Sequence, residues 1–174
     1  DHQSATGQCL KLGRRGDPVA DGFRHVCAEL ALFHKLLQRA LECDHGLVHC
    51  FLACIEKQLV SGTGFIQLRC KSLSPGKLKE LAIDIRTFCQ EHDANLFINE
   101  DIALARTIDC PVHLKSSQLM QKDIAKQLGG HPFSAACHDI DELKMAEALG
   151  ASYAVLGHVL KTNSHPGIEG MGWS

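Results

Sequence analysis

From Phe23 the apolar positions Val26, Cys27, Leu30, Phe33, Leu37 and Leu41 recur at intervals of three and four, the stripe of one helix face. A second helix is predicted over Phe51–Leu59, stopped by Ser61-Gly62-Thr63-Gly64. The first 22 residues carry Gly7, Gly13, Gly16, Pro18 and Gly22 without a period and read as a loop or frayed arm. Beyond Gly64 the period changes. Short β-rich runs alternate with helical patterns: strand Phe65–Arg69, helix Pro75–His92, strand Asn95–Asn99, helix Asp101–Ile108, strand Val112–Leu114, helix Ser117–Leu128, strand Phe133–Cys137, helix Asp139–Leu149 and strand Tyr153–Gly157. Strands separated by helices are the pattern of βα units with a parallel sheet. Asp139 three residues before Glu142 predicts a capping box, and Gly150 after Leu149 a helix stop.

The strands alternate in polarity, whereas strands of an open sheet buried on both faces read as unbroken apolar runs. Gln67, Arg69 and Lys71 share one face, opposite Ile66, Leu68 and Cys70. Phe97 and Asn99 lie opposite Leu96 and Ile98, and Ser134, Ala136 and His138 opposite Ala135 and Cys137. Polar groups thus converge at the C-terminal ends of successive strands, where βα barrels keep their active sites. The expected fold is α/β of the (β/α)8 TIM-barrel type with extra N-terminal helices.

Composition narrows the class without changing it. A chain of 174 residues, 45% hydrophobic and 22% charged, suits one globular domain and excludes disordered, collagen-like and coiled-coil classes. Residues 1–60 carry 7 basic and 7 acidic side chains, and residues 61–174 carry 11 and 13, so neither part is a basic platform for nucleic acid. The longest uncharged run, Ala148–Leu160, is 13 residues, short of the roughly 18 a membrane-spanning helix needs. Nine cysteines, an odd number scattered through apolar runs, suit buried reduced thiols in a cytoplasmic protein better than a disulfide framework. Cys43, His45, His49, Cys50 and Cys54 are zinc-ligand types, but their spacing lacks a second matched pair and fits packing better. A start at Asp1 without Met reads as a cut from a longer product.

The runs Ile66-Gln67-Leu68-Arg69-Cys70-Lys71, Phe97-Ile98-Asn99, Val112-His113-Leu114, Cys137-His138-Asp139, Ala151 to Gly157 and Thr162-Asn163-Ser164-His165-Pro166-Gly167, in that order and spacing, resemble the thiamine phosphate synthase family and its relatives the thiazole tautomerases. The resemblance covers residues 51–174 and leaves 1–50 as an unassigned arm and helix. The ending from His165-Pro166-Gly167 to Gly172-Trp173 looks most like synthase-like domains fused to a Nudix (MutT-type) hydrolase, which would be a partner domain in the full-length protein. The family fold is a (β/α)8 barrel, and by that measure the chain stops before the last βα units, so that either it is truncated or residues 1–60 complete the barrel in another way.

What the resemblance implies is a transferase that joins hydroxymethylpyrimidine diphosphate to thiazole phosphate and releases pyrophosphate. By position, Gln67, Arg69, Lys71 and Asn99 match the diphosphate-holding set, and Thr162 and His165 match its Thr-rich loop. Glu100 stands where the family places a magnesium-binding Asp. Gln118 stands where it places a second, and a neutral amide is a poor exchange for a carboxylate, so the free protein is expected to hold magnesium weakly. Ala136 replaces a Ser and His165 a Lys, each change removing charge or hydrogen bonding from the anion pocket. His138 matches a histidine that moves a proton in the tautomerases, a role suited to imidazole; a hydrogen-bonded structural histidine is the alternative. His113, mid-strand, reads as structural. Three functions remain open: the transferase, a tautomerase-like isomerase, and a non-catalytic domain that binds a thiamine-related ligand or packs against a Nudix partner.

Overall fold

A computed structural model describes residues 11–14, 45–70 and 73–157 of the chain. The elements are β1 (Lys11–Arg14), α1 (His45–Val60), β2 (Thr63–Leu68), α2 (Pro75–Glu91), β3 (Asn95–Asn99), α3 (Ile102–Thr107), β4 (Val112–Leu114), α4 (Ser116–Leu119), α5 (Ile124–Leu128), β5 (Phe133–Cys137), α6 (Ile140–Ala148) and β6 (Ala154–Leu156). The strands form one sheet in the order β1 to β6. Each pair from β2–β3 to β5–β6 is parallel, as the alternating pattern predicts. Sequential order without reversal is the topology of a barrel rather than of a doubly wound sheet.

The sheet is also curled. Phe65 on β2 and Tyr153 at the start of β6 lie four strand spacings apart, roughly 19 Å in a flat sheet. Their ring centroids are 5.7 Å apart, and Phe97 packs edge-on against both at 6.4 and 5.2 Å. The architecture is therefore an α/β half-barrel, an incomplete barrel of TIM type, with these rings on its concave face.

The opposite face carries the main core. Ile66, Leu68, Leu96, Ile98, Val112, Leu114, Phe133 and Ala135 pack beneath the helices against Ile55, Leu59, Leu81, Ile85 and Leu119. In α1 the core stripe runs Phe51, Ile55, Leu59 at intervals of four, which leaves Cys54 off the stripe and exposed, contrary to its expected packing role. Cys89, Cys110 and Cys137 are buried free thiols, and burial, helped by the neighbouring Cys110, pushes the Cys89 thiol up to about 12.

Three boundaries correct the pattern. Lys11–Arg14, expected to be loop, is a strand antiparallel to β2, in register Lys11 to Gln67, because β2 otherwise has an unpaired edge. α1 begins at His45, a turn and a half earlier than expected. The helix expected over Ser117–Leu128 is split into α4 and α5, because Leu119 and Ile124 are both buried and would point about 140° apart on one continuous helix. The helix expected from Phe23 lies outside the described residues.

Helix α6 ends in a Schellman motif, with Gly150 N–H on Glu147 O at 2.9 Å, Ala151 N–H on Ala146 O at 2.9 Å and Gly150 at φ +80°. Nothing stands within 4 Å of a Cβ built there, so its cost is conformational alone. Gly150→Ala should destabilise the fold by about 1 kcal/mol. Gly76→Ala, in the first turn of α2 with equally open surroundings, should gain up to about 0.5 kcal/mol from helix propensity. Urea unfolding midpoints of the two variants against the parent check both signs.

Candidate active site

Glu100 follows β3 at its C-terminal end with φ +66°, a left-handed conformation unusual for a side chain with a Cβ. Such a backbone costs about 1–3 kcal/mol and persists only where its surroundings over-determine it. Here every polar group of the residue is engaged. Its N–H donates to His113 O at 2.9 Å, continuing the β3–β4 ladder, and its carbonyl accepts from Gln118 Nε2 at 2.9 Å. Its Oε1 accepts from Asn99 Nδ2 at 3.0 Å and its Oε2 from Lys115 Nζ at 2.9 Å. Asp101 N–H bonds back to Asn99 O at 2.8 Å, closing a tight turn around Glu100. Asp101 itself caps α3, its Oδ1 accepting from Leu104 N–H at 2.9 Å.

The network extends inward, where Gln67 Nε2 donates to Asn99 Oδ1 at 2.6 Å. Gln67 is buried on β2, on the concave face predicted by alternation. Arg69, just past the end of β2, has its Nε buried without a hydrogen-bond partner among the described residues. Its guanidinium also acts on the Glu100 carboxylate. Burial pushes that carboxyl up, but the hydrogen bonds from Lys115 and Asn99 and the charges of Lys115 and Arg69 outweigh it and hold the group below the ordinary carboxylate range. Gln67, Arg69, Asn99 and Glu100, read as one site from the sequence, thus converge. Lys71, Thr162 and His165 lie outside the described residues.

Below this mouth the concave face is aromatic. His113, buried, shares a 2.8 Å hydrogen bond with Ser134 Oγ and stacks on Tyr153 at 6.5 Å. Burial raises the Tyr153 phenol above its usual value, opposed by a hydrogen bond with Ser134, so it is neutral at pH 7. His138 follows the end of β5. Glu142 Oε2 accepts from its backbone N–H at 2.6 Å and pairs with Nδ1 at 3.2 Å, leaving the ring about half exposed. The expected capping box is therefore half formed: Asp139 Oδ1 accepts from Asp141 and Glu142 N–H groups, while Glu142 reaches to His138 instead of Asp139. Ser116 Oγ donates to the other Glu142 oxygen and so ties α4 to α6.

The residues present do not fit a protein-held magnesium ion. The ion wants near-octahedral oxygen ligation, yet Glu100 is the one carboxylate at the two expected positions, and each of its oxygens already accepts from an N–H donor. Gln118 turns its NH2 toward Glu100 O and its Oε1 toward Lys115 N–H at 3.3 Å. Among the described residues no three His, Cys, Asp or Glu side chains gather into a metal-holding group. Sequence reasoning missed Lys115, although its signal is plain: a cation directly after β4, one βα unit on from Glu100.

A half-barrel of βα units whose strand ends place two cations near one carboxylate has the form of an incomplete βα barrel with a charged mouth. The chain belongs to the thiamine monophosphate synthase family, whose model matches residues 41–174. It is 32% identical over 111 residues to the thiamine-phosphate synthase of Methanococcus maripaludis, covering 63% of this chain and 54% of that one. To the thiamine-phosphate synthase of Chlorobium phaeobacteroides it is 37% identical over 109 residues, covering 61% and 52%. The chain spans roughly half to two thirds of the length of the relatives it matches. Its fold is similar to that of a thiamine phosphate pyrophosphorylase from Pyrococcus furiosus, with a TM-score of 0.56 at 23% identity over 65% of this chain and 56% of the other. No helix among the described residues is long and apolar enough to cross a membrane.

Because the folded-state pKa of Glu100 is depressed, its contribution to stability is complete above the unfolded value near 4.3 and is lost as pH falls through the folded one. The parent should therefore be more stable than Glu100→Gln at pH 7, and the gap should close below about pH 4, as read from denaturant midpoints at the two pH values.

Proposed function

We propose that this chain is the diphosphate-holding portion of a thiamine phosphate synthase-like transferase, part of a (β/α)8 barrel to which the described residues contribute five parallel strands. The single observation that carries the reading is the Nε–H of Arg69, buried and without a hydrogen-bond partner among the described residues, near the Glu100–Lys115 pair. A buried donor without a partner is costly unless a ligand supplies the acceptor, and a diphosphate oxygen is such an acceptor. Counting the described charged groups there, Arg69 and Lys115 against Glu100, the site has a net charge of +1, favourable to an anion.

In the reaction the thiazole nitrogen attacks the pyrimidine methylene carbon, the carbon–oxygen bond to the diphosphate breaks, and pyrophosphate leaves with the electron pair. Negative charge grows on the leaving group as positive charge appears on the pyrimidine methylene and then on the thiazolium product. Fixed cations aimed at the leaving oxygens stabilise that separation more than they stabilise the ground state. Arg69 serves this role, Asn99 and Gln67 hold Glu100 in register, and the Phe65, Phe97 and Tyr153 rings offer a planar apolar surface on the concave face. The ending from His165 to Trp173 supports, within the same reading, a domain of the kind fused to MutT-type hydrolases. A tautomerase role depends on the His138 imidazole, which Glu142 already engages, and is the weaker alternative.

Supplied with hydroxymethylpyrimidine diphosphate and thiazole phosphate, the protein should release pyrophosphate and thiamine phosphate in equal amounts, measured by chromatography. Arg69→Ala should weaken binding of the diphosphate substrate by about 1.5–3 kcal/mol, roughly ten- to a hundredfold. An unchanged affinity would remove Arg69 from the site, and binding without turnover would leave a ligand-binding domain.

A further inference from the structure

We propose that the ε-ammonium of Lys115 takes the place of a divalent ion at this site, so that the chain holds a diphosphate through Arg69 and Lys115 with no metal ion in the complex. The proposal deepens the diphosphate reading above and rests on it.

Charge balance is its first support. Two carboxylates and one divalent cation sum to zero, and so do Glu100 and the Lys115 ammonium. Here the second carboxylate position holds neutral Gln118, and Lys115 lies 2.9 Å from Glu100 Oε2, on the loop between β4 and α4. Adding a divalent ion to this arrangement would set it beside an ammonium and a guanidinium with one carboxylate to offset all three. Repulsion between like charges within a few ångströms disfavours that arrangement.

Geometry is the second. An exposed surface ion pair needs no precise scaffold and contributes little. This one is built on a left-handed Glu100 whose backbone and carboxylate are engaged by His113, Gln118, Asn99 and Lys115 together. Gln118 serves both partners, donating to Glu100 O and accepting from Lys115 N–H, which fixes where the lysine leaves the backbone. An Asp at this position would lose the donor to Glu100.

Donor capacity is the third. An ammonium carries three N–H donors, and Glu100 Oε2 takes one. The Lys115 side chain is 53% exposed and Glu100 29%, so the pair sits at the mouth, within reach of an entering ligand. Lysine binds phosphate as a point charge, much as a small cation does.

The test is calorimetric titration of inorganic pyrophosphate into the full chain, once with EDTA and once with millimolar magnesium. The expected result is binding in EDTA with an affinity that magnesium changes by less than about threefold, a roughly tenfold or greater loss in Lys115→Met, and near-parent binding in Lys115→Arg. Thermal unfolding of each variant confirms that it is folded. A Lys115→Gly, Gln118→Asp double variant should bind pyrophosphate with magnesium and poorly in EDTA. Binding by the parent only when magnesium is present overturns the lysine proposal and leaves the diphosphate reading standing. Parent-like binding by Lys115→Met, or magnesium-independent binding by the double variant, also overturns it. Absence of pyrophosphate binding in both media overturns the lysine proposal and the diphosphate reading together.

Discussion

Curvature is the constraint on which the rest of the molecule depends. A flat sheet would hold Phe65 on β2 and the start of β6 some 19 Å apart, yet Phe65 and Tyr153 touch across the concave face. Right-handed twist and strand-by-strand stagger provide the curl, and the three rings of Phe65, Phe97 and Tyr153 fill the space it encloses. On the convex side the helices press branched aliphatic residues against the strands. The same curl turns the ends of β2, β3 and β4 inward, so that Lys115 pairs with Glu100 and Arg69 acts on the same carboxylate, although positions 69 and 115 are 46 apart in the chain.

The site then concentrates its strain at one residue. Glu100 would be easier to accommodate as Gly, since only Gly visits the left-handed region without a Cβ penalty. The carboxylate there accepts hydrogen bonds from Asn99 and Lys115 that a glycine could not. The structure offsets the cost with four hydrogen bonds to Glu100, drawn from β3, β4 and α4. Each of these partners is itself placed by regular structure: His113 by its register with Asn99 and Ser134, Asn99 by β3, and Lys115 and Gln118 by the first turn of α4. Local strain and global topology are therefore coupled, and loosening α4 would loosen Glu100.

Much of this was legible in the chain. Alternation at Gln67 and Asn99 told which strand face is concave, and the βα rhythm told the strand order. The strand Lys11–Arg14 was not legible, because four residues with a Gly carry no periodic signal and their pairing exists only against the β2 edge. The split between α4 and α5 was in principle readable from the five-residue interval between Leu119 and Ile124, which no single helix face accommodates. His138 shows where alternation stops being informative. Alternation put it on the concave face, but β5 ends at Cys137, and beyond that point the N-terminus of α6 and Glu142 decide where the residue is held.

Lys115 was hidden for a different reason. Matching residues to a family pattern by position directs attention to losses, and here the loss of a carboxylate at Gln118 conceals a gain three residues earlier. What a diphosphate site must conserve is the field at the leaving group, and the identity of the ion that produces it is secondary. A side-chain ammonium and guanidinium are carried by the fold itself and require no recruitment from solution. A divalent ion is a denser charge with directional ligand demands, which two flexible side-chain cations reproduce only in part. Under the lysine proposal, exchanging one for the other trades peak stabilisation of a diphosphate's charge for independence from metal supply, and it moves control of the site to the short α4 helix that follows Lys115.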